Sequence, residues 1–218
     1  MLFENTCSDE LLKLLKAIQS NSIFKEHFLV GGTALALQLG HRKSIDIDLF
    51  TLVEQDNTLI LEYLKQNFKN IEIKNNRENI LQVFIDDIKV DFIKATGKLI
   101  EKPIISNGIT LCHIKDIAGM KLNVINQDTG RIEAKDYIDI AYLIKTLTLE
   151  KMFEIYKWKY DKTDVYNVKL DLLNVDRVNP YSWEKIQMLK NDIYVSDVKS
   201  YIKDAVENYN KKNKFTFK

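Results

Sequence analysis

Between Gly31 and Phe50 the chain reads GGTALALQLGHRKSIDIDLF, and this stretch holds the residue types that phosphate and metal chemistry require. Gly31 and Gly32 permit a tight turn and let backbone N–H groups approach a ligand closely. A helix is predicted right after them, from about Thr33 to Leu39, closed by Gly40. Its free N–H groups and positive dipole end make a phosphate seat, to which Thr33 can add a hydroxyl donor. The chain then returns as Ser44–Phe50, alternating polar and apolar with the period of a strand. Asp46 and Asp48, two residues apart on that strand, point to the same face. Two converging carboxylates suit Mg²⁺ or Mn²⁺, which prefer oxygen ligands and share them with substrate phosphates. One short segment thus offers a phosphate seat followed by a metal seat, the minimum for binding a metal–nucleoside triphosphate and transferring its nucleotidyl group.

A third carboxylate would complete a two-metal site, and Asp91 is the best candidate. It sits between Val90 and Phe92, on the opposite pleat face from both, in a strand that can lie beside the Asp46 strand. A buried aspartate among apolar residues is costly unless it is paired or bound to metal. The alternative is a surface aspartate. Neither Asp-x-Asp nor Gly-Gly-Thr is specific alone. The weight lies in their order: a glycine turn opening a helix, a short connection, paired aspartates on a strand, and a third aspartate on a later strand.

The elements that must position these groups follow from periodicity. Ser8 can cap a helix over residues 8–20, and Asp56 a second one through Phe68. Strands are expected at Phe28–Val30, Ile71–Lys74 and Leu81–Lys94, the last folded into a hairpin at Asp86-Asp87. A loop is expected around Pro103. From Ile114 the period is helical, in segments near 114–126, 133–146, 148–159, 163–174 and 196–210. The fold class is therefore α+β, with an αβ part over residues 1–110 and a helical part over 111–218 that together frame one cleft.

GGTALALQLGHRKSIDIDLF closely resembles the first motif of the AbiEii/AbiGii nucleotidyltransferases, which often serve as toxins of bacterial toxin–antitoxin pairs. The resemblance continues through Asp116-Ile117-Ala118-Gly119-Met120-Lys121-Leu122, Arg131, and Lys135-Asp136-Tyr137-Ile138-Asp139. It implies a polymerase-β-like core with a mixed sheet, followed by helices. By position it implies Asp46 and Asp48 as metal ligands, with Gly32 and Thr33 on the phosphates. Lys121 would neutralise the triphosphate, and Asp136 would serve as general base or orient the acceptor hydroxyl. Arg42 and Lys43 can help with phosphate charge, and Ser44 with support of the metal strand. The bland alternatives are a snorkelling surface lysine at 121, local helix pairs at 135 and 136, and an exposed helix residue at 139.

The resemblance implies transfer of a nucleoside monophosphate to an acceptor hydroxyl, with RNA, in particular a tRNA 3′ end, as the favoured acceptor and an antitoxin as partner. A protein or a small molecule such as an aminoglycoside is the runner-up acceptor, and a non-catalytic nucleotide binder the third reading. Composition constrains less. Lys plus Arg number 32 and Asp plus Glu 31, so net charge argues neither for nor against nucleic acid. Cys7 and Cys112 form no zinc spacing and read as reduced thiols. The amphipathic N-terminus lacks the apolar core of a signal peptide. The uncharged stretch Phe28–Gly40 is far shorter than the ~20 residues that span a bilayer. A cytoplasmic protein with no membrane partner is expected.

Overall fold

The structure, a computed structural model, describes residues 1–126 and 132–214. Arg131, part of the resemblance described above, lies outside the described residues. The chain divides into two compact units, Met1–Lys98 with Lys102–His113, and Leu99–Glu101 with Ile114–Lys218.

The first unit carries α1 (Asp9–Gln19), β1 (Phe28–Leu29), α2 (Gly31–Leu39), β2 (Ile47–Thr51), α3 (Asn57–Asn67), β3 (Ile71–Arg77), β4 (Ile80–Ile85), β5 (Ile88–Lys94), β6 (Ile104–Ser106) and β7 (Ile109–Leu111). The caps are those the sequence signals. Ser8 accepts from the Leu11 N–H, and Asp56 from those of Thr58 and Leu59. The strands form one mixed sheet in the order β3-β4-β5-β2-β1-β7-β6. β2 runs parallel to β5, and β1 parallel to β7; the other neighbours are antiparallel. The expected hairpin at Asp86-Asp87 is present, and both residues have positive φ, 47° and 64°. That is the geometry a two-residue turn needs to match the strand twist. Residues after Pro103, expected as loop, make the β6–β7 hairpin instead. Its turn is Asn107-Gly108, again with both φ positive, at 52° and 75°.

Ile47, Leu49, Val90 and Phe92 are fully buried on one face of the β2–β5 pair. This fixes register, because a one-residue slip of either strand would turn that whole set outward. Phe92 stacks on Phe24 at 5.4 Å, and His27 meets both rings edge-on.

The second unit is helical: α4 (Ile114–Asn126), α5 (Ala134–Leu147), α6 (Leu149–Lys159), α7 (Tyr166–Leu173), the single-turn α8 (Tyr181–Glu184) and α9 (Val198–Lys214). Gly119 lets α4 approach α6, since a Cβ there would stand 3.1 Å from Ile155 Cγ2 and Lys159 Cδ. Among the described residues no helix is long and apolar enough to cross a membrane.

His27 yields a pH prediction. It is buried, its Nε2 lies 3.3 Å from Gln55 Oε1, and its Nδ1 has no hydrogen-bond partner. Burial pushes its pKa below the usual 6.5, outweighing the Gln55 hydrogen bond and the Glu26 charge. The folded protein therefore binds fewer protons than the unfolded chain just below pH 6.5. The stability that neutral His27 permits is full above that pH and declines as the pH falls below it. Urea midpoints measured from pH 7.5 to 5 should fall less steeply for His27→Gln than for the wild type. Parallel curves would refute the assignment.

Candidate active site

Antiparallel pairing of β1 with β2 sets Leu29 opposite Leu49, and the Val30 N–H donates to the Asp48 carbonyl at 2.8 Å. The chain leaving β1 is therefore fastened beside Asp48 at the point where α2 begins. Gly31 must be glycine there on two grounds. Its φ is +69°, and a Cβ would stand 2.5 Å from Asp48 Oδ2. Gly32 is held as tightly, its would-be Cβ 2.4 Å from Arg42 Nη2. α2 starts at Gly31, two residues earlier than its pattern suggests, and no side chain caps it. Its first-turn N–H groups have no intrahelical acceptor. They open beside the Asp48 carboxylate, as a phosphate seat next to a metal ligand would require.

Parallel pairing of β2 with β5 sets Asp48 directly alongside Asp91. Neighbouring strands lie ~4.8 Å apart, and paired residues share a face, so the two carboxylates are forced into one neighbourhood. Continuing the register by two residues brings Asp46 alongside Lys89, and both line one cavity of about 300 Å³. Asp91 is buried. Its Oδ2 accepts from Gln82 Nε2 at 2.9 Å and Lys89 Nζ at 2.7 Å, while its Oδ1 is buried without a hydrogen-bond partner. An orphaned carboxylate oxygen is costly in a folded protein and calls for a ligand. With the side chains as they stand, no three His, Cys, Asp or Glu among the described residues already cluster around one point. The donor set nonetheless suits a hard divalent ion: all oxygen, aligned by register, with one buried oxygen unused.

Lys89 was not singled out from the sequence, although period two puts it on the Asp91 face. Partial burial opposes its charge more than any other single influence. The Asp91 hydrogen bond and the charges of Asp91, Asp48 and Asp46 together outweigh that, and its pKa lies above the ordinary lysine value.

The remaining expected phosphate contacts of this unit are engaged internally. Thr33 is buried, and its hydroxyl donates to the Asp46 carbonyl and lies 2.8 Å from Ser44 Oγ. That link ties the start of α2 to the start of the aspartate strand. Arg42 is buried under Gly32 and donates to the Lys43 carbonyl at 2.9 Å. Ser44 and Arg42 thus brace the turn from below, alongside whatever they offer a ligand.

In the helical unit, Lys121 and Asp136 are brought to each other. Lys121 Nζ stands 2.8 Å from Asp136 Oδ1 and 2.7 Å from Asp139 Oδ2, and all three residues are buried. Asp136 Oδ2 accepts from the Glu133 N–H at 3.1 Å, as the N3 partner of a capping box at the start of α5. Asp139 is wholly buried, not an exposed helix residue. Asp116 pairs with Lys159 at 2.6 Å and accepts from the N–H groups of Ile100 and Glu101. The family-like aspartates and lysine of this half therefore make two buried ion-pair clusters, one pinning α4 to α5 and the other α4 to α6.

The model of the family described as nucleotidyl transferase AbiEii toxin, type IV TA system, matches residues 13–180. An uncharacterised protein of Aquifex aeolicus (strain VF5) is 27% identical over 205 residues, covering 92% of this chain and 96% of that one. Among solved structures, a candidate nucleotidyltransferase from H. pylori superposes with a TM-score of 0.54 at 17% identity, over 97% of this chain and 99% of that one. ANT(2″)-Ia in complex with adenylyl-2″-tobramycin superposes with a TM-score of 0.51 at 15% identity, over 68% of this chain and 94% of that one. At these identities the superpositions speak to fold.

Removing the Lys121 ammonium would leave Asp136 and Asp139 buried without their cation. Lys121→Ala should therefore destabilise the protein by about 3–5 kcal/mol, read as a lowered urea midpoint. A variant with an unchanged midpoint but weakened triphosphate affinity would place the work of Lys121 at the phosphates instead.

Proposed function

We propose, for a chain that belongs to the AbiEii nucleotidyl transferase family, that the first unit is its metal and triphosphate site and that the acceptor is RNA, at the 3′ end of tRNA. The observation that carries the reading is the register of β2 on β5. It sets Asp48 beside Asp91, with the glycine turn against Asp48 and a buried Asp91 oxygen left without a partner.

Asp46, Asp48 and Asp91 would hold Mg²⁺ or Mn²⁺. When bound, a divalent cation neutralises developing charge on the phosphates and acidifies an acceptor hydroxyl. The first-turn N–H groups at Gly31 and Gly32 hold phosphate oxygens through the positive end of α2. Arg42 and Ser44, packed beneath, keep that turn in place. The Thr33 hydroxyl fixes the spacing between phosphate seat and aspartate strand through the Asp46 carbonyl. The acceptor oxygen bonds to the α-phosphorus as the bond to the β-phosphate bridging oxygen breaks, and pyrophosphate leaves with that electron pair. The acceptor's proton passes to a carboxylate. Asp91 is better suited than Asp136, because Asp91 Oδ1 is unpaired whereas Asp136 uses both oxygens within the helical unit. Preorganised positioning and charge supply the catalysis, without a covalent enzyme intermediate. Membership of a toxin family further supports an antitoxin as the regulatory partner.

The test pairs labelling with a variant. Purified protein, each labelled nucleoside triphosphate, Mg²⁺ and total cell RNA should yield label in tRNA. Label in a small-molecule fraction would move the acceptor to the class that ANT(2″)-Ia represents, and label in protein would move it to a protein hydroxyl. Asp48→Asn should keep its melting temperature, since it removes one of two adjacent like charges, and should lose transfer by about a thousandfold or more. Turnover equal to wild type would overturn the site.

A further inference from the structure

We propose that Lys89 is a built-in counter-ion of the aspartate site: its ammonium holds the position beside Asp91 that a divalent cation takes on loading, and metal binding must displace it. The inference rests on the metal-holding reading of Asp46, Asp48 and Asp91 given above.

Three observations support it. First, Lys89 Nζ lies 2.7 Å from Asp91 Oδ2, and it is near enough to Asp48 and Asp46 to feel the charge of both. Without some cation there, Asp48 and Asp91, adjacent in register, would repel each other. Second, the pair is asymmetric. The Asp91 side chain is 7% exposed and fixed by Gln82, whereas that of Lys89 is 37% exposed. The lysines of the two helical clusters, Lys121 and Lys159, are 8% and 6% exposed and have nowhere to go. Lys89 has a flexible four-carbon stem and an adjoining cavity of about 300 Å³, which also meets Asp46 and Asp87. It can withdraw without unfolding anything. Third, Asp91 Oδ1 remains unpaired even with Lys89 in place, so the ammonium is an incomplete partner for the carboxylate.

Two consequences follow. The protein alone binds a divalent cation weakly, because the ion must expel a charge already paired. A cation arriving with a triphosphate is favoured, because the phosphates bring negative charge that can receive the displaced ammonium.

The test uses Mn²⁺ alone, without nucleotide, titrated into the full-length wild type, Lys89→Met and Lys89→Arg, with free Mn²⁺ read by electron paramagnetic resonance. Lys89→Met should bind Mn²⁺ at least about tenfold more tightly than wild type, and Lys89→Arg should stay close to wild type. Mn²⁺ should also raise the melting temperature of Lys89→Met more than that of wild type. If Lys89→Met melts too low to titrate, Lys89→Gln, which can still donate to Asp91, carries the same expectation. Wild type and Lys89→Met binding Mn²⁺ equally, or Lys89→Met binding it more weakly, would overturn this inference and leave the metal site standing. No binding by any folded variant would overturn the metal site and the inference with it.

Discussion

Two carboxylates side by side on neighbouring strands repel each other, and the parallel pairing of β2 with β5 puts Asp48 and Asp91 in that relation. The core forces it. Ile47, Leu49, Val90 and Phe92 are fully buried on the opposite face, and slipping one strand by a residue would expose that set. Hydrophobic burial worth roughly 1.5–3 kcal/mol per side chain outweighs the repulsion of two partly screened charges. The surrounding features of the site bear on this enforced proximity. Gln82 and Lys89 donate to Asp91, and the close-packed glycine turn brings helix dipole charge near Asp48.

Much of this could be read before the structure, because it depended on local rules. Period two placed Asp46 and Asp48 on one face, and the glycine pair announced the turn and helix. The Asp86-Asp87 hairpin returned β5 next to β4, a prerequisite for Asp91 to reach β2. The β6–β7 hairpin was missed although Asn107-Gly108 is a stronger turn signal than Asp-Asp, because each flanking strand is only three residues long. Such strands give too few alternations to detect. Lys89 was overlooked for another reason. A lysine on a strand is ordinary, and only the pairing of β2 with β5, a non-local fact, surrounds it with three carboxylates.

The helical half shows where residue type stops being informative. Lysine and aspartate are what a triphosphate site needs, and they are also what a buried ion pair between helices needs. Lys121 and Asp136 satisfy each other, with Asp139 as a third member, and Asp116 does the same with Lys159. Spacing alone cannot separate the two uses, since i, i+3 on α5 aims Asp136 and Asp139 at the same neighbour in either case. A buried ion pair gains little net stability over an apolar contact, yet losing one partner is severe. Such clusters therefore constrain which residues can stand there as firmly as catalysis would.

What separates the helical clusters from the aspartates of the sheet is completeness. In the helical unit the described partners nearly close the account: Lys121 joins Asp136 to Asp139, and Asp116 draws on Lys159 together with two backbone N–H groups. In the sheet unit Asp91 receives one half-exposed ammonium and one amide, both at Oδ2, and its Oδ1 is unserved. A scaffold minimises its energy by pairing every buried charge, whereas a binding site must keep some of its own charge unpaired for the ligand. By that physical criterion Asp91, with its unserved oxygen, speaks for the proposed metal site in the sheet unit over the closed ion pairs of the helices.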